Sequence, residues 1–233
     1  MDTPGRGAED NRKFFSSLLI GHDPFMPRRF APATVLLIVL NLLAFGFEIS
    51  QVGTGIMAGG GTLLGLMNSG ALIPALVFRE HQYWRLVTGA FLHGSVMHLL
   101  VNMYSLWVVG SFIEVAAGTV RMVFIYSASL LIASVAIVYF GPPFDVTVGA
   151  SGAIFGLFGA LFAIGFKSGE RGMRLVQANI SILVINLVMT FVIPGISKLG
   201  HVGGLIGGFI VAFLVFTPPP PMVRIQTPRS FSA

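Results

Sequence analysis

The 233 residues are 55% hydrophobic and only 10% charged, with a mean hydropathy of +0.86, whereas a soluble domain carries about one quarter charged residues. The net charge of +5 comes without a basic cluster interleaved with aromatics, which argues against a nucleic-acid partner. The absence of cysteine excludes disulfides, thiolate catalysis and cysteine-ligated metals, and what remains is an all-α, polytopic protein whose surroundings are the lipid bilayer.

Residues 1–30 are polar and mixed in charge, with Asp2, Arg6, Glu9, Asp10, Arg12 and Lys13, unlike an acid-poor transit peptide. They are expected to form a cytoplasmic N-terminal tail. The first apolar run, about 31–50, lacks a small-residue cleavage site and reads as a helix that stays. Residues 51–92 form a long loop, apolar yet rich in glycine, that ends in Arg79-Glu80-His81-Gln82-Tyr83-Trp84-Arg85. Aromatic and Arg side chains in such a setting suit the headgroup zone, so the loop is expected to embed in the membrane without crossing it. Further spans are predicted at about 95–116, 120–140, 150–167, 174–194 and 199–217, six in all within a domain of 31–217, since a span needs about 20 apolar residues. The run Pro218-Pro219-Pro220-Pro221 ends the last helix, and 218–233 reads as a Pro-rich cytoplasmic tail.

Placing the N-terminus inside puts Arg6, Arg12, Lys13, Arg28, Arg29, Arg121, Lys167, Arg171, Arg174, Arg224 and Arg229 on the inner side, and only Arg79, Arg85 and Lys198 outside. The positive-inside rule then gives N-in, C-in topology. On that reading Ser151 and His201 both start helices that enter from the outer side and can meet.

Ser151 stands at the expected N-terminus of the fourth span, where free backbone N–H groups favour a developing oxyanion. Gly149 and Gly152 permit a tight turn and close substrate approach. A serine hydroxyl needs a base within hydrogen-bond reach, and His201 is the one histidine in the three C-terminal spans. Gly152, Gly156 and Gly159 on one helix and Gly200, Gly204 and Gly208 on the other have the spacing that lets membrane helices touch backbone to backbone. Neither span contains an acid, and Asp145 lies in a loop. A Ser–His dyad is therefore expected, with the imidazole oriented by packing alone. His93, His98 and Asn102 gather on the second span, the last two on one face. His98 and Asn102, with the Ser151 backbone N–H, are assigned to stabilising a tetrahedral intermediate.

Each signal has a bland counterpart. Gly-x-Ser-Gly arises by chance in roughly one in four chains of this composition, and a glycine turn or glycine ladder is most often packing. His201 alone reads as a packing histidine, and the His93–His98–Asn102 group as interhelical polar contacts worth about 1 kcal/mol. It is their joint occurrence on one membrane side that favours chemistry.

Four elements stand in order across roughly 70–210: Tyr83-Trp84-Arg85 before Phe91-Leu92-His93; His93-x4-His98-x3-Asn102; Gly149-Ala150-Ser151-Gly152; and His201-Val202-Gly203-Gly204 with Gly208. In this combination the chain resembles the rhomboid intramembrane serine proteases, in their simpler six-span prokaryotic form. The resemblance implies Ser151 as nucleophile, His201 as general base, His98 and Asn102 as oxyanion partners, and Trp84-Arg85 as anchor of the first loop. It implies single-span transmembrane protein substrates, a water cavity open to the outer face, the fifth span as a gate, and a multi-pass location in the plasma (bacterial inner) membrane. Some family members stack a tyrosine on the catalytic histidine where this chain has Phe155.

Two alternatives remain: a rhomboid-fold protein that binds membrane clients without cutting them, and a small transporter, for which the two halves show no repeat. There is no His-Glu-x-x-His for zinc and no pair of intramembrane aspartates, so neither metal nor cofactor is expected.

Overall fold

The computed structural model describes residues 31–218, so the expected tails, 1–30 and most of 218–233, lie outside the described residues. Six long helices follow in chain order: α1 (Pro32–Val52), α2 (Val96–Ala117), α3 (Thr119–Phe140), α4 (Ser151–Lys167), α5 (Gly169–Val192) and α6 (Lys198–Val215). Among the described residues five of these are long and apolar enough to cross a membrane, α5 over Gly172–Val192, whereas α4 is a shorter apolar helix.

Helix α4 is the centre of the molecule. It packs chiefly against α6, then α3 and α5, and from Ala153 to Gly165 nearly every residue is buried. A helix apolar all round belongs in such a position. Phe155, Phe158, Leu157, Leu161 and Ile164 meet Met122, Ile125 and Tyr126 in one continuous core. The surrounding helices instead expose large apolar side chains, such as Leu36, Leu43 and Phe47 on α1 and Val188 and Phe191 on α5, as lipid-facing surfaces do.

The α4–α6 contact rests on the glycine spacing. A methyl group at Gly204 would collide with the carbonyl oxygen of Gly152, and one at Gly208 with that of Gly156. At the far end of the pair, Lys167 Nζ donates to the carbonyls of Phe213 (2.7 Å) and Phe216 (2.6 Å). A cation thus satisfies unpaired carbonyls at the C-terminus of α6.

Two acids inside spans tie distant parts together. Glu114, near the end of α2, accepts the backbone N–H groups of Ala33 (3.0 Å) and Thr34 (2.8 Å), the Thr34 hydroxyl (2.8 Å) and the Thr119 hydroxyl (2.9 Å). Since α1 has no side-chain cap of its own, this carboxylate answers its N-terminal N–H groups. Glu48 on α1 accepts the backbone N–H of His93 at 2.8 Å. Between Leu106 and Gly110, α2 widens into one π-helical turn.

The stretch 53–92 is built of a 3₁₀ turn (Thr54–Ala58) and short helices at Leu63–Ser69, Pro74–Arg79 and Arg85–Thr88. It reaches across to the segment before α4. Leu72 and Thr147 exchange both backbone hydrogen bonds (3.0 and 2.9 Å), Ala75 N–H donates to the Pro143 carbonyl (2.7 Å), and Gly149 N–H to the Gly89 carbonyl (2.9 Å). The Ser134 hydroxyl of α3 donates to the Leu86 carbonyl at 2.7 Å. The first loop is therefore part of the frame that holds residues 147–150.

Candidate active site

Ser151 is the first residue of α4, and that N-terminus carries no side-chain cap. Its leading backbone N–H groups are left for an incoming acceptor. The approach to it depends on Gly149, whose φ of +123° is a conformation that side-chain-bearing residues rarely adopt. Space makes the same demand: a methyl group there would stand 2.8 Å from His98 Nε2 and 3.6 Å from Asn102 Nδ2.

His201 lies in the first turn of α6, after Ser197, whose hydroxyl accepts the Gly200 N–H at 3.2 Å and caps the helix. The imidazole is only 6% exposed. It stacks on the Phe155 ring with centroids 4.1 Å apart and planes 14° from parallel. Packing is not the whole of its orientation, contrary to the expectation from sequence. Nδ1 of His201 lies 2.7 Å from the hydroxyl of Thr190 on α5, a buried contact. Sequence reading missed Thr190 because threonine is common in apolar spans. Its signal was positional: a polar side chain at the end of α5 that faces the start of α6.

Ser151 and His201 line one small cavity of about 30 Å³, with Gly149, Gly152, Ser197 and Gly200 around them and Leu72, Gly89 and Ala90 contributed by the first loop. That is room for about one water molecule between polar groups. His98 and Asn102 are not among the lining residues. They stand instead beside Gly149, next to which His98 Nε2 and Asn102 Nδ2 both lie. His98 N–H is held by the Ser95 hydroxyl at 3.1 Å, which caps α2. Asn102 Nδ2 is buried with no hydrogen-bond partner among the described residues, so a donor stands unused beside the serine loop.

His93 does not belong to the second span, as the sequence had suggested. It sits in the turn before Val96, fully buried, with its backbone held by Glu48. Its ring meets that of His98 edge-on at 5.1 Å, so it supports His98 from behind.

Trp84 and Arg85 do not line that cavity and do a different job. The Arg85 guanidinium donates from one terminal nitrogen to the carbonyls of Met67 and Ala71, both at 2.8 Å, and from Nε to Gln82 Oε1 at 2.6 Å. It also stacks on the Trp84 ring at 4.5 Å, while Trp84 itself is half exposed. Burial lowers the Arg85 pKa from the usual arginine value, but that value starts far above neutrality and the charge is kept. Ala71 directly precedes the Leu72–Thr147 pair, so this anchor lies one residue from the backbone that leads to Ser151. Among the described residues there is no cluster of metal-ligating side chains.

Residues 80–218 match the Rhomboid domain family. The chain is 39% identical over 140 residues to the rhomboid protease GluP of Bacillus subtilis, covering 60% of this chain but 27% of that one. It is 37% identical over 135 residues to YdcA of the same bacterium, 57% of this chain and 67% of the other. RHOMBOID-like protein 1 of Arabidopsis thaliana is 33% identical over 163 residues, 69% of this chain and 41% of the plant protein. The chain thus spans less than two thirds of the length of GluP and of the plant relative.

Proposed function

The chain belongs to the rhomboid family, and we propose that it is a serine endopeptidase that cuts membrane proteins within the bilayer, with Ser151 as nucleophile and His201 as general base. The observation that carries this reading is the single cavity shared by Ser151 and His201, with the imidazole fixed on one face by Phe155.

In the proposed reaction the Ser151 hydroxyl attacks the scissile carbonyl while His201 Nε2 takes its proton. The imidazolium then gives that proton to the leaving amine, and an acyl-enzyme remains. Negative charge gathers on the carbonyl oxygen at the uncapped start of α4. There the Ser151 backbone N–H, the unused Asn102 amide and the His98 ring are the donors nearest to hand, preorganised before substrate arrives. Water entering the cavity hydrolyses the ester, with His201 again as base.

Substrates are proposed to be single-span membrane proteins, cut near the outer boundary, with the protein N-in and C-in across a bacterial inner membrane. A transmembrane helix hides its carbonyls in i→i+4 bonds, so helix-destabilising residues near the cut favour cleavage. Domain limits of 31–217, flanked by cytoplasmic tails, follow the same reading.

Labelling of the purified protein by a fluorophosphonate probe tests the proposal. An adduct on Ser151 that disappears in His201→Ala is the expected result. An unlabelled but folded protein that still binds transmembrane segments would identify a client-binding protein instead.

A further inference from the structure

A hydrogen-bond count around Thr190 determines more than the position of a ring. Thr190 is fully buried, and its hydroxyl oxygen makes two short contacts, one to the Asn186 carbonyl and one to His201 Nδ1, each 2.7 Å. A hydroxyl has one proton to give and two lone pairs to offer, whereas a carbonyl oxygen only accepts. The contact to Asn186 therefore consumes the threonine proton. What Thr190 presents to the imidazole is a lone pair, and the hydrogen between them has to be carried by Nδ1.

We infer that Thr190 is a positioning residue that fixes the neutral tautomer of His201, with the proton on Nδ1 and a free electron pair on Nε2. The choice of tautomer is set by the partner of the nitrogen that does not react. In a triad a carboxylate takes this place; here a threonine whose own proton is pinned to the helix backbone does so without a charge at membrane depth. Phe155 sets the plane of the ring, and Thr190 sets which way round it lies within that plane. When Nε2 takes the serine proton, Nδ1–H is already paired and the imidazolium needs no rearrangement. This rests on the reading of His201 as general base.

Thr190→Val keeps the shape and removes the acceptor, while Thr190→Ser keeps the hydroxyl. With one net hydrogen bond to the transition-state imidazolium at stake, Thr190→Val is expected to lower kcat about tenfold or more with KM nearly unchanged. Thr190→Ser should stay within about threefold of the parent, being short only of a methyl group. Equal loss in both variants, or loss in neither, would overturn the proposal. The tautomer can also be read in the unmutated protein, which covers the case in which Thr190→Val fails to fold. In ring-¹⁵N-histidine protein in micelles, with the His201 signals assigned by their absence in His201→Gln, Nδ1 should be the protonated nitrogen. Protonation at Nε2 would overturn the assignment of Thr190. Retained turnover in His201→Ala would take down the dyad itself, and the nitrogen spectrum keeps that failure separate from a wrong tautomer.

Discussion

Beside Ser151 not every polar side chain has a partner to hold it among the described residues. Asn102 is the clearest case, because its amide nitrogen is buried and unpaired among the described residues, a state that costs about 1–3 kcal/mol. In the proposed reaction that nitrogen finds its partner in the oxyanion. Asn102→Ala should therefore lower kcat by roughly 10²–10³, the effect of losing one oxyanion donor, with little change in KM. Steady-state cleavage of a fluorescent transmembrane substrate measures both, and a change confined to KM would remove Asn102 from that role. Gly149→Ala should act on the same donors from the opposite side. It adds strain of about 1–2 kcal/mol at a left-handed position and pushes against the His98 ring. Activity should fall well beyond the loss of thermal stability, which paired melting and turnover measurements will separate. Gly149, Ser151 and His201 were legible in the sequence because glycine, a hydroxyl and a lone imidazole stand out in apolar spans. Thr190 was not, since a threonine hydroxyl usually satisfies itself on its own helix, and only the fold turns its second lone pair towards α6.

At the scale of helices, the glycines of α4 and α6 turn sequence spacing into contact. A methyl at Gly208 meets the Gly156 carbonyl oxygen, and backbone cannot swing aside as a side chain does. Gly208→Ala should destabilise the protein by about 1–3 kcal/mol, as overpacking does. Gly46 on α1 is the control: nothing lies within 4 Å of an added methyl, and Gly46→Ala should be neutral or stabilising by up to about 1 kcal/mol. Thermal or denaturant unfolding in micelles compares the two, and equal effects would mean that the α4–α6 approach is not what these glycines serve. This spacing was readable because a four-residue repeat survives in the bare sequence. The π turn at Leu106–Gly110 was not, because no proline marks it and a Gly-Ser pair such as Gly110-Ser111 also occurs in unbroken helices.

Over the whole molecule, two polar anchors hold the bundle and the first loop in register. Glu114 joins α1 to the α2–α3 junction through four hydrogen bonds to one carboxylate. Its removal in Glu114→Ala should cost roughly 3 kcal/mol while the folded fraction keeps its kcat. Arg85→Ala should lower the melting temperature and open residues 53–92 to proteolysis. Turnover would fall in step with that loosening, because Leu72 pairs with Thr147 just ahead of the serine; lost activity with an unchanged melting curve would instead give Arg85 a direct part in the chemistry. The order of the helices was plain from hydropathy, which also put a sixth span at 150–167, where α4 is shorter than the five that are long enough to cross. The route of the first loop was not: its partners are backbone carbonyls, and carbonyls are the same in every sequence. One dimension remains, the 17 residues of α4, about 25 Å of helix against an oily layer of ~30 Å. From Ala153 to Gly165 its neighbours bury nearly all of this strut, which leaves it less room than the outer helices to tilt with its host. Under the proposed reaction a thicker bilayer would leave the serine more deeply submerged, and acyl-chain length in a vesicle would become a dial on how far a substrate has to be drawn down before it is cut.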